Sequence, residues 1–139
     1  MKNLRLPVVS LLLVLLMTVP LTGCGGSGSN EAMELGGINT GEVLQGLLAR
    51  TRRAMSQVTN VDTAAQAKAE LQRINEDYDD LLFHIPKLSE EGRAALARKS
   101  SRALPEMRAM VNRVHEMPAL DKVLGETLAA MVEKLGQVR

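Results

Sequence analysis

Residues 38–139 are predicted to form an all-α fold, a small antiparallel bundle of about four helices that follows a flexible tether. Three observations carry this. Apolar residues recur at three- and four-residue steps through most of the segment. Prolines at positions 86, 105 and 118 cut the pattern into short lengths rather than one long rod, and no run of four or more β-branched residues marks a strand. Short connections between such helices favour antiparallel neighbours.

The first helix opens at Asn39-Thr40-Gly41-Glu42, where Asn39 can cap free amides and Glu42 can reach back. Its apolar stripe is Leu44, Leu47, Leu48, Thr51, Met55 and Val58. A second helix is expected to open at Asp62 or Thr63, with Gln66 completing a capping box from Thr63. It carries Ala67, Leu71, Ile74, Tyr78, Leu81, Leu82 and Ile85 up to Pro86. Ser89 starts a third helix, with Glu90 and Glu91 in the first turn where the helix dipole favours negative charge. Leu96, Ser100, Ala103, Met107, Met110, Val114 and Met117 line its inner face, and Pro105 is expected to kink or split it near Leu104. The fourth helix begins at Pro118, carries Leu124, Leu128, Met131 and Leu135, and should end at Gly136.

Residues 24–37 are rich in glycine and serine, from Gly25-Gly26-Ser27-Gly28-Ser29-Asn30 to Gly36-Gly37, and read as a flexible linker. A coil of this length has an end-to-end distance of ~20 Å. Upstream, Lys2 and Arg5 supply a positive start, Leu6–Val19 an apolar core of roughly 14 residues, and Pro20–Gly23 a short exit. That core is shorter than the ~20 residues of a lasting transmembrane helix. Residues 1–23 therefore read as a removable signal peptide.

The exit ends in Leu21-Thr22-Gly23-Cys24, which resembles a bacterial lipobox and contains the chain's single cysteine. The resemblance implies that the Cys24 thiol takes a diacylglyceryl group, that cleavage falls between Gly23 and Cys24, and that the new amino terminus is acylated. Two or more acyl chains give stable membrane anchoring where one would be marginal. Gly25 lacks the aspartate that retains Gram-negative lipoproteins in the inner membrane, so a Gram-negative host implies the outer membrane, facing the periplasm. The expected partners are this membrane and an envelope protein. The murein-linked type of lipoprotein is not matched, because the helices are broken and the segment closes on Val138-Arg139 rather than lysine.

The chain holds 17 basic and 16 acidic side chains; loss of Lys2 and Arg5 with the leader leaves 15 against 16. This balance does not suit nucleic-acid binding. The basic groups at Arg50, Arg52 and Arg53, and at Arg93, Arg98, Lys99 and Arg102, read as solvated faces. Glu76-Asp77-Tyr78-Asp79-Asp80 is the densest acidic run, but helical spacing fans its carboxylates apart, whereas a calcium loop needs a turning backbone. Local pairs Asp80–His84 and Arg73–Asp77 are expected there.

A copper site from Met107, Met110, His115 and Met117 is the sharper alternative, since sulfur and imidazole suit that metal. The methionines share a stripe with Val114, and core packing is the favoured reading. Haem held by Met55 and His115 is a related comparison with four-helix periplasmic haem proteins, but bulky aromatic walls are lacking, because Tyr78 and Phe83 are the only aromatic rings besides histidine. No Glu-x-x-His, His-Glu-x-x-His or Gly-x-Ser-x-Gly pattern is present. The sequence thus points to a non-enzymatic structural, accessory or interaction module without a cofactor.

Overall fold

A computed structural model describes residues 30–138. Four helices make up most of it: α1 (Thr40–Ser56), α2 (Val61–His84), α3 (Glu90–His115) and α4 (Pro118–Gln137), with a 3₁₀ turn at Ile85–Lys87 between α2 and α3. A two-stranded antiparallel hairpin, β1 (Glu34–Leu35) and β2 (Ile38–Asn39), precedes them. The all-α bundle predicted from the apolar spacing is the observed fold.

The folded chain begins upstream of Ile38, where the linker was expected to end. Gly36 and Gly37 both adopt positive φ, 58° and 82°, as a two-residue hairpin turn demands. Met33, just before the hairpin, is fully buried. Its carbonyl accepts hydrogen bonds from the Thr40 amide at 2.9 Å and the Thr40 hydroxyl at 2.8 Å. Gly92 in the first turn of α3 lets this segment close on the bundle, because a methyl group there would overlap the Ala32 carbonyl oxygen.

Asn39 caps α1, its side chain accepting the Glu42 amide at 3.1 Å. The cap of α2 differs from expectation. Asn60, not Asp62 or Thr63, is the N-cap: its side chain accepts the Thr63 amide while the Thr63 hydroxyl accepts the Asn60 amide. Thr63 is thereby the inner partner of the box, and the helix starts at Val61. Ser89 caps α3 as predicted, accepting the Gly92 amide at 3.1 Å.

Pro105 does not split α3, which runs unbroken from Glu90 to His115. Proline at this position leaves the Ser101 carbonyl without its helical donor, but Pro105 and Ser101 are both exposed, so water can take that bond. Gly136 lies inside the last turn of α4 rather than beyond it, and Val138 follows as the C-cap.

The chain direction alternates, so consecutive helices run antiparallel. Around the bundle, α4 packs along both α2 and α3, while α1 packs mainly on α2 and touches α3. Leu120, Leu124, Leu128, Met131 and Leu135 of α4 reach into this shared core, where Leu44, Leu71, Ile74, Tyr78, Leu96, Met107 and Val114 are also buried. Two core hydroxyls satisfy themselves on helix carbonyls, Thr51 on Leu47 at 2.8 Å and Ser100 on Leu135 across to α4. Charged clamps tie helices outside the core. Arg50 spans from α1 to Glu70 and Asp77 of α2, and Lys134 of α4 bonds Asp79 at 2.7 Å and the Asn75 carbonyl at 2.9 Å.

Candidate interaction surfaces

Up-down topology sorts the connections to two poles. One carries residues 30–39, the 84–89 connection and the end of α4; the other carries the 57–60 and 116–117 connections. The large apolar side chains that remain exposed fall at these poles. Ile38 and Phe83, 57% and 66% exposed, lie at the first, and Val61 and Met117, 43% and 45% exposed, at the second. No helix of the described residues is long and apolar enough to cross a membrane.

The pole holding Met117 has a groove of about 420 Å³ whose walls include Met55, Val58, Met110, Val114, Met117 and Leu120. Arg52, Glu106 and Arg113 stand at its rim. Arg52 grips Glu106 in a two-pronged bond, Nε to Oε1 and Nη2 to Oε2 at 2.6 Å each. That hydrogen bond holds the Glu106 carboxyl below the ordinary range and raises the Arg52 guanidinium further. Arg113 has no ion-pair partner among the described residues. The groove therefore combines polarizable, adaptable methionine walls with one uncommitted positive charge.

This arrangement divides the residues considered for copper or haem. Met107 is buried in the core, 1% exposed. Met110 and Met117 reach the groove together with Met55, but His115 does not line it. The His115 Nδ1 instead meets the Asp121 carboxylate at 2.6 Å, joining the end of α3 to the first turn of α4. Met117, placed on the inner stripe of α3 by its spacing, is the N-cap residue of α4. The described residues contain no group of three or more histidine, cysteine, aspartate or glutamate side chains arranged to hold a metal.

The acidic run on α2 divides between the core and surface ion pairs. Tyr78 is fully buried, Asp77 pairs with Arg50 rather than Arg73, and Asp79 pairs with Lys134. The His84 Nδ1 bonds the Asp80 backbone carbonyl at 2.7 Å, not its carboxylate. Burial pushes the Tyr78 phenol up to about 12, slightly opposed by the positive charge of Arg52. The Tyr78 hydroxyl and the Asn75 side-chain carbonyl are buried with no hydrogen-bond partner among the described residues.

At the opposite pole a second pocket, about 350 Å³, opens between the hairpin, α1 and α2. Leu35, Ile38, Val43, Leu47 and Leu81 line it, and Asp80 and His84 stand beside them. The lipobox, with Gly23 and Cys24, lies outside the described residues.

Sequence reasoning missed the groove because its members come from three elements and a loop: Met55 from α1, Val58 beyond it, Met110 from α3, and Met117 and Leu120 around the start of α4. The only available signal was the clustering of methionines late in α3. Comparison with known proteins gave no matching family model, curated protein or solved structure.

Proposed function

We propose that this chain is a lipid-anchored envelope lipoprotein whose helical domain is a non-enzymatic accessory or interaction module. The observation that carries the reading is Leu21-Thr22-Gly23-Cys24 at the end of a positively started apolar leader, with Cys24 six residues before Asn30, the first described residue. In a Gram-negative host Gly25 assigns it to the outer membrane, facing the periplasm. The folded domain then stands on the membrane through Cys24.

The groove around Met55, Met110 and Met117 lies at the pole away from Asn30 and is the surface offered to a partner. Its chemistry fits a protein segment that places an apolar side chain between the methionines and a carboxylate on Arg113. The anchor is tested by intact mass and membrane fractionation of the native chain beside Cys24→Ser. Loss of residues 1–23 with gain of acyl mass, and release of the variant from membranes, is the expected result. Cleavage without acylation would make the domain a soluble secreted bundle and end this reading.

A further inference from the structure

We infer that the hairpin pole is a lipid-contacting surface, with Ile38 and Phe83 seated among the headgroups of a zwitterionic membrane. The position of the chain entry is the first reason. The Asn30 carbonyl accepts the Asn39 side-chain amide at 3.1 Å, so the chain enters the bundle beside β2 and next to Ile38. Six peptide links separate Cys24 from Asn30 and span at most about 20 Å. Whatever holds the leader end in a bilayer, an acylated Cys24 or the apolar run itself, therefore keeps this pole close to the lipid.

The side chains at the pole supply the second reason. Phe83 is the most exposed large apolar residue among the described ones, and the Lys87 ammonium sits 3.8 Å from its ring centroid. The His84 ring meets Phe83 edge-on at 5.4 Å between centroids, and His84 and Ile38 border the same pocket. An apolar ring beneath a cation matches the interfacial zone, where rings sit at headgroup depth and amines reach phosphates. Glu34, Asp80 and Glu90 are also exposed at this pole, which disfavours an anionic surface and fits headgroups of no net charge.

This inference takes the nearness of a membrane from the preceding reading but not the identity of the anchor. The chain contains no tryptophan, so Phe83→Trp and Val61→Trp each introduce a single, selectively excitable tryptophan at an exposed site on opposite poles. Full-length protein from membranes, of verified mass, is reconstituted in phosphatidylethanolamine–phosphatidylcholine vesicles with or without brominated acyl chains. Seating at about 5–10 Å depth should quench Phe83→Trp emission about twofold or more and leave Val61→Trp unchanged. Equal emission from both variants, or quenching of Val61→Trp alone, overturns the inference even if the acyl mass is present. Quenching of Phe83→Trp in a chain without acyl mass sustains it and removes the lipoprotein reading instead. A chain that does not sediment with vesicles overturns both.

Discussion

Replacing Tyr78 with phenylalanine removes a buried oxygen that has no hydrogen-bond partner among the described residues. The ring is fully enclosed, and phenylalanine keeps its shape. A buried hydroxyl lacking a hydrogen bond costs about 1–3 kcal/mol, so Tyr78→Phe should raise the unfolding free energy at neutral pH by roughly 1–2 kcal/mol. Alkali adds a second contribution. With the native phenol raised to about 12 and an unfolded one near 10, protonation is equal in both states below pH 10 and favours neither. Above that the unfolded state ionises first, so stability falls as pH rises from 10 through 12. At pH 11 the wild-type chain should lose about 1.4 kcal/mol that the variant keeps. Urea denaturation of both proteins at pH 7 and 11 measures these differences. Tyr78 is the only tyrosine and tryptophan is absent, so the tyrosinate absorbance of the native protein reports this one group. A native ionisation midpoint near 10, or a variant less stable at pH 7, would refute the placement of an unpartnered phenol in the core.

Two further substitutions test the packing. Gly92→Ala should force the Ala32 carbonyl away from α3 at a cost of about 1–3 kcal/mol, visible as faster amide exchange through residues 33–40 and a lower denaturation midpoint. Pro105→Ala should return an amide to the Ser101 carbonyl on the exposed face of α3 and stabilise the protein by roughly 1–3 kcal/mol, read as a higher melting temperature with unchanged helical circular dichroism.

The helices were legible in the sequence because each buries a stripe at helical spacing and three of the four begin with a recognisable signal. Asn39, Ser89 and Pro118 stand where local chemistry placed them. The start of α2 was displaced because Asn60 and Thr63 form a complete box, leaving Gln66 nothing to finish. The hairpin was obscured by composition: Gly36-Gly37 suits a tether and a tight turn equally, and Met33 decides between them through tertiary burial that no local pattern encodes. The groove had the same difficulty. Met110 and Met117 were noticed, but Met55 joins them only through the packing of α1, and the Asp121 carboxylate that holds His115 comes from α4.

The central place of α4 has a consequence for how the molecule is made. A polypeptide emerging amino terminus first presents α1, α2 and α3 while the helix that joins α2 to α3 is still inside the machinery that releases it. Until α4 arrives, α2 and α3 each lack the helix they pack against most, and the α1–α2 hairpin is the main pairing that can gain from early association. Most of the burial shared by α2, α3 and α4 is therefore gained only when the fourth helix joins the other three.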